Sequence, residues 1–284
     1  MPNPDDVRRL VEACLAEDLN HLTPIEGDIT ASLIPLTTIS KAYIISREKA
    51  VFCGQAWSEE VFQQLGSHVS IEWLINDGEL MEENQRICNL TGTSRDILTG
   101  ERTMLNIVQT LSATATATRK YVDAIEGTGV KLLDTRKTIP GMRNAQKYAV
   151  HCGGGVNHRC GLYDAFLIKE NHIAAAGSIA AAVEQARTNF PGKPVEVEVE
   201  NMQEFCLALE AGVDRVMLDN FSPELMREAV IVNQGQAELE ASGNVTIETI
   251  RQVAETGVDF ISVGALTKHI RAVDFSMRIE SAHQ

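Results

Sequence analysis

A chain of 284 residues, 44% hydrophobic and 23% charged, is long enough for one large α/β barrel, or for a barrel plus a smaller domain. Its net charge of −14, with no basic tail or stripe, argues against a nucleic-acid partner. An acidic opening and the lack of any apolar run long enough to span a bilayer argue against a signal peptide and a membrane role, so a cytoplasmic protein is expected.

The opening stretch, Pro4–Leu19, places Val7, Leu10, Val11, Cys14 and Leu15 on one helical face. Short strand patterns follow at 42–45 and 69–74, with Asn76-Asp77-Gly78 as a turn signal. Residues 50–65 read as a strand end passing into a helix. This part is mixed α and β, and the order of its strands is left open. Residues 94–125 are helical in pattern and rich in Ala and Thr, which suits close helix packing.

Beyond residue 130 a strand–helix beat sets in. Strands are expected at Lys131–Leu133, 165–168, Val195–Val199, 215–218, 237–241 and 260–263. Helices are expected at Ile179–Asn189, 202–211, Pro223–Asn233 and 247–256. Repeated βα units imply a parallel sheet closed, or nearly closed, into a barrel. Each late strand ends in polar or glycine residues: Asp134-Thr135-Arg136-Lys137, Lys169-Glu170-Asn171-His172, Glu198 to Asn201, Asp219-Asn220, Ser242-Gly243-Asn244 and Gly264-Ala265. In such a barrel those ends share one mouth, where the site forms.

Charge supports an anion site there. Residues 131–172 carry seven Lys and Arg against three acids and sum to +4, while the other 242 residues sum to −18. Arg136, Lys137, Arg159 and Lys169 are the best anion contacts, and His158 could donate to a carboxylate. A solvated lysine face is the plainer alternative, but these cations alternate with glycines and apolar runs. In the run from Val195 to Glu200, valine and glutamate alternate strictly, so the three carboxylates share one strand face. In a barrel the valines would pack on helices and the glutamates point inward; on an edge strand they would only be solvated. With Asp219, an inward Glu198 could bind sugar hydroxyls or a hydrated Mg²⁺. The turns at Gly243 and Gly264 could cradle a phosphate, or be simply tight turns. Six cysteines without a CxxC pair read as reduced thiols rather than zinc ligands or disulfides, and Cys152 and Cys160 as packing residues rather than nucleophiles.

The block from Leu132 to Ile173, LLDTRKTIPGMRNAQKYAVHCGGGVNHRCGLYDAFLIKENHI, closely resembles the quinolinate phosphoribosyltransferases, the decarboxylating nicotinate-nucleotide pyrophosphorylases of NAD synthesis. EVEVEN, VMLDNF, LEASGN and ISVGALTKH follow in that family's order, and GDIT and ERTMLN extend the likeness into the first half. The resemblance implies an N-terminal open α/β sandwich (1–112) and an incomplete α/β barrel of the phosphate-binding type (113–272), with the tail 273–284 free to pack back on the first domain. It implies a homodimer sharing its active sites, with Arg102 supplied across the interface. Hexamers are left open.

The implied reaction joins quinolinate to 5-phosphoribosyl 1-diphosphate and releases diphosphate and CO₂, with Mg²⁺. Arg102, Thr135, Arg136, His158, Arg159 and Lys169 would then bind quinolinate. Lys137, Glu198, Asp219, Ser242, Gly243, Asn244, Val263, Gly264 and Ala265 would bind the sugar diphosphate. Glu198 and Asp219 would hold the metal through water, and Lys137, Lys169, Glu198 and Asp219 would be the catalytic set. Three other readings fit the residues less well: a transferase for a related acid, a Schiff-base lyase using Lys137 or Lys169, and a binding protein without turnover.

Overall fold

The computed structural model describes residues 2–280; Met1 and the last four residues of the expected tail lie outside the described residues. Contacts divide the chain into two units. One comprises residues up to 119 with 139–154 and 269 onward, and the other 120–138 with 155–268.

In the first unit, helix α1 (Pro4–Leu19) starts where the Asn3 side chain accepts the Asp5 N–H, with Pro4 in the first turn, and ends at the left-handed Asn20. Its buried stripe is Val7, Val11, Leu15 and Leu19, one turn apart. After the short α2 (Pro24–Gly27) come β1 (Ile39–Ser46), β2 (Ala50–Val51), α3 (Gln55–Gln64), β3 (Ser70–Trp73), β4 (Leu80–Met81) and β5 (Arg86–Thr93). The 31-residue α4 (Ser94–Ala124) follows, its residues 120–124 counting with the second unit. Two later elements join this part: α5 (Arg143–Cys152), which clusters with the first unit, and β12 (Phe275–Ile279). The main sheet is antiparallel in the order β12-β1-β5-β3, so the end of the chain pairs with β1 from Ala42↔Ile279 to Ser46↔Phe275. Strand β5 is central, yet its sequence, RICNLTGT, carries Asn, Thr and Gly and gives no clear strand signal.

The second unit holds β6 (Lys131–Leu133), β7 (Phe166–Ile168), β8 (Val195–Val199), β9 (Arg215–Asp219), β10 (Glu238–Ser242) and β11 (Phe260–Ser262). Its helices are α6 (Glu170–Ala176), α7 (Ile179–Asn189), α8 (Met202–Glu210), α9 (Pro223–Asn233), α10 (Ile250–Ala254) and α11 (Ala265–Lys268). All strand pairs are parallel, in the order β6-β11-β10-β9-β8-β7. This is the cyclic order of a barrel left open between β6 and β7, an incomplete α/β barrel. Val195, Val197 and Val199 are fully buried in one apolar core with Ala182, Phe205 and Ala208 of the covering helices. The valines thus take the outer face and Glu196 and Glu198 the inner one. Glu200 lies beyond the end of the strand and is exposed, so two of the three alternating carboxylates point inward, not three.

Among the described residues, no helix is long and apolar enough to cross a membrane. All six cysteines are free thiols.

Candidate active site

The exit of β6 organises one side of the strand ends. Asp134 is fully buried, and its carboxylate accepts the Asn157 side-chain amide at 2.7 Å and the His158 backbone N–H at 2.9 Å. It thereby ties the 157–159 segment to the sheet. Next in sequence, Thr135 Oγ1 accepts the Lys137 N–H at 3.1 Å, and the Thr267 hydroxyl donates to the Lys137 carbonyl at 2.7 Å. The end of β11 comes against this turn: a Cβ added to Gly264 would stand 3.0 Å from Lys137 Cδ and 3.5 Å from Thr135 Oγ1. The same point lies 3.8 Å from Lys268 Cε, a cation that the sequence reading did not single out.

Two arginines of this region feel each other's charge. Arg136 has a buried Nε without a hydrogen-bond partner. Arg159 donates to the Ala165 carbonyl at 3.3 Å, and burial first, then repulsion from Arg136, lower its pKa. Like charges held together with a buried donor left over are costly unless an anion completes the arrangement. The Lys169 ammonium pairs with Glu198, joining the ends of β7 and β8. A cavity of about 430 Å³ along β7 shares Arg159 and His172 with this region; its remaining lining is chiefly apolar, from Leu162, Phe166, Ile168 and the alanines of α6 and α7.

Inside the barrel lies a buried charge cluster. His158 Nε2 stands 2.9 Å from a Glu196 oxygen and 3.3 Å from a Glu240 oxygen. Arg215 completes it, bonding Glu238 at 2.7 Å and Glu240 at 3.4 Å while its guanidinium stacks 4.1 Å over the Phe260 ring. Burial alone would pull the His158 pKa down, but the hydrogen bonds to Glu196 and Glu240 outweigh it and raise the value to about 9. The Arg159 backbone N–H points at Nδ1 from 2.7 Å, which by itself favours a single proton on the ring. Two carboxylate charges outweigh one amide dipole, so the upward direction stands, and protonating Nδ1 deprives the Arg159 amide of its acceptor. His158 therefore faces the barrel carboxylates with Nε2.

At the ends of β9 and β10 the backbone takes unusual turns. Asn220, Gly243 and Asn244 all have positive φ, at 56°, 95° and 51°. The Asn220 N–H donates to the Ser242 carbonyl at 2.9 Å, the Asn244 amide donates to Asn220 Oδ1 at 3.1 Å, and the Asn220 amide donates to Asp219 at 2.8 Å. Gly243 is required on two counts, because an added Cβ would lie 2.2 Å from Asn220 Oδ1.

The β-strand ends of the second unit thus carry Thr135, Arg136, Lys137, Lys169, Glu198, Asp219, Ser242, Gly243, Asn244, Gly264 and Ala265, with His158 and Arg159 on the loop that Asp134 anchors. Val263 is buried and can offer only backbone. Arg102 is an exposed residue of α4 in the first unit. Not all of the basic stretch belongs here: Arg143 and Lys147 lie on α5, and Lys131 starts β6 rather than ending it. The sequence reading missed Glu240 and Arg215. Glu238 and Glu240 alternate around Leu239 on β10 just as Glu196 and Glu198 do on β8, a pattern that could have exposed them.

Residues 28–112 match the model of the quinolinate phosphoribosyl transferase N-terminal domain, and residues 114–278 match that of the C-terminal domain. A Bacillus subtilis protein described as a probable nicotinate-nucleotide pyrophosphorylase (carboxylating) is 37% identical over 280 residues, covering 98% of this chain and 95% of that one. A chloroplastic nicotinate-nucleotide pyrophosphorylase (carboxylating) of Arabidopsis thaliana is 35% identical over 296 residues, covering 97% of this chain and 83% of its relative. Among solved structures, the nicotinate-nucleotide pyrophosphorylase from Francisella tularensis superposes with a TM-score of 0.94 at 51% identity, covering 99% of this chain and 98% of that one.

Proposed function

The chain belongs to the quinolinate phosphoribosyl transferase family, and from that premise we propose that it joins quinolinate to 5-phosphoribosyl 1-diphosphate, yielding nicotinate mononucleotide, diphosphate and CO₂ for NAD synthesis. One observation carries the substrate reading: the Arg136–Arg159 pair with its spare buried donor suits a planar dicarboxylate, which two guanidinium forks can grip. Thr135 and Lys169 extend the same binding surface, and His158, turned toward the barrel carboxylates, fixes the loop that carries Arg159. Lys137, the Gly243 turn and the Gly264 turn would hold the sugar diphosphate, with backbone N–H groups on the 5-phosphate.

Both substrates are anions, and two unit charges about 4 Å apart repel by roughly 4 kcal/mol at an effective dielectric of 20. The fixed cations offset that repulsion and align the ring nitrogen with the anomeric carbon. The nitrogen–carbon bond forms as the carbon–oxygen bond to diphosphate breaks, through an oxocarbenium-like transition state. Glu198 and Asp219, on neighbouring strands, face the developing positive charge. The positive pyridinium nitrogen then stabilises the electron pair left on the adjacent ring carbon when its carboxylate departs as CO₂, and that carbon takes up a proton.

Magnesium fits this donor set: Glu198 and Asp219 offer hard carboxylate oxygens at adjacent strand ends, and the ion when bound would neutralise the leaving diphosphate. A homodimer sharing its sites is supported by the exposed Arg102 and by five exposed apolar residues in one short stretch, Ile25, Ile29, Leu33, Leu36 and Ile39, of the kind that a partner chain covers. Free cysteines suit a cytoplasmic, reducing setting. The deciding test is CO₂ release from carboxyl-labelled quinolinate. It should require phosphoribosyl diphosphate and Mg²⁺; binding of quinolinate without any release would reject the transferase reading.

A further inference from the structure

The first unit contains a second chemical cluster, apart from every residue assigned above. The Sγ atoms of Cys53 and Cys152 and a carboxylate oxygen of Asp77 all lie within 4.8 Å of one another. They come from three separate segments: the residues after β2, the turn before β4, and the C-terminus of α5. No sequence spacing announces the cluster, since 53, 77 and 152 form no ligand motif.

The carboxylate is held in place before anything binds. Asp77 Oδ1 accepts the N–H groups of Gly54 at 2.8 Å and Gln55 at 3.2 Å, and Oδ2 accepts the Tyr148 hydroxyl at 2.9 Å. Cys53 is fully buried, with its backbone N–H on the Ser112 hydroxyl at 3.1 Å, while Cys152 is partly open. The Arg119 guanidinium donates to the carbonyls of Gly153 at 3.0 Å and Cys152 at 3.4 Å, which fixes the helix end that presents the second thiol.

We infer that Cys53, Cys152 and Asp77 form a binding site for a thiolate-preferring divalent cation of the Zn²⁺ type. Tetrahedral zinc takes Cys sulfur at about 2.3 Å and carboxylate oxygen at about 2.0–2.2 Å, so its ligands stand under about 4 Å apart, within reach of this cluster after small side-chain rotations. A hydrogen-bonded ligating carboxylate is the usual supporting arrangement, supplied here by Tyr148 and two backbone amides. Two thiolates and one carboxylate around a dication leave one net negative charge, which the adjacent Arg119 balances. Three protein ligands leave a fourth position open to water on the partly exposed Cys152 side. Such an ion would pin α5 to the β2 end, six residues before His158 in the chain.

The test uses Co²⁺ added to the reduced, metal-free full-length protein, followed by absorption spectroscopy. We expect one equivalent to give a thiolate-to-cobalt charge-transfer band with tetrahedral visible bands, and Zn²⁺ to displace it. Cys152→Ser and Cys53→Ser should abolish the charge-transfer band, and Cys206→Ser should leave it intact. Tyr148→Phe, which keeps all three ligands, should keep the band but weaken affinity by about 10–100-fold in chelator competition. Circular dichroism separates loss of the site from loss of fold, and Zn²⁺ should slow alkylation of Cys152 but not of Cys206. No charge-transfer band in the reduced wild type overturns the inference, as does a band that survives in the Cys53→Ser/Cys152→Ser protein.

Discussion

At the scale of single residues, the barrel interior is where charge is most consequential. Glu240 is fully buried and meets both His158 and Arg215. Replacing it with alanine removes the carboxylate that His158 and Arg215 share, leaving His158 with Glu196 and Arg215 with the more exposed Glu238, and breaking buried ion pairs costs up to about 3–5 kcal/mol. Glu240→Ala should therefore lower the urea midpoint sharply, whereas Glu224→Ala, at an exposed pair on α9, should barely move it. An equal, small loss in both would mean that the cluster is solvated. The same cluster sets a pH dependence. His158 has its folded pKa raised from 6.5 to about 9, so its contribution is fully present below about pH 6.5 and is lost as pH rises through 9. At roughly 1.4 kcal/mol per unit the loss is at most about 3–4 kcal/mol. Urea titrations between pH 6 and 9.5 should show wild type declining relative to His158→Gln; parallel curves would contradict the assigned shift.

At the scale of elements, legibility followed the strength of periodic patterns. Helix α1 and the strands β6 and β8 match the sequence reading end to end, because the spacing of apolar residues marks the helix and apolar runs mark the strands. Strands β5 and β12 and helix α5 were not read. The buried apolar residues of β5, Ile87, Cys88 and Leu90, lie among polar ones and do not alternate regularly, and α5 buries Ala145, Gln146, Lys147, Ala149 and Val150, so neither shows a clean apolar stripe. Burial of a lysine and a glutamine is a tertiary outcome that a periodicity cannot announce. The strand-end site was legible because polar and glycine residues recur at each exit, while the pairing of Asp134 with the His158 loop depends on contacts between distant segments. The Gly243 turn offers a test at this scale. Gly243→Ala meets both a Cβ contact with Asn220 and a φ of 95°, a strain of about 1–3 kcal/mol. Because the turn belongs to the phosphate side, KM for phosphoribosyl diphosphate should rise at least about tenfold while KM for quinolinate stays near wild type. A matched rise in both would detach the turn from the phosphate.

At the scale of the whole molecule, the question is whether one chain makes a complete site. The cations at the strand ends all come from the second unit, but Arg102 belongs to the first and is exposed, next to Glu101 and Thr103 on α4. Exposed apolar side chains from Ile25 to Ile39 on that unit give a second copy something to cover. If each dimer trades first units across its interface, an Arg102→Ala chain and a Lys169→Ala chain fail alone for different reasons. Mixed and allowed to exchange, half of the dimers would pair one chain of each kind. In each such dimer one site would receive an intact Arg102 with an intact Lys169, and the other would lack both. About a quarter of wild-type activity should then return, from two inactive preparations. A site built within one chain predicts no recovery at any mixing ratio. The size of the recovery also matters, because more than about half would exceed what one restored site per mixed dimer allows and would point to a larger shared assembly.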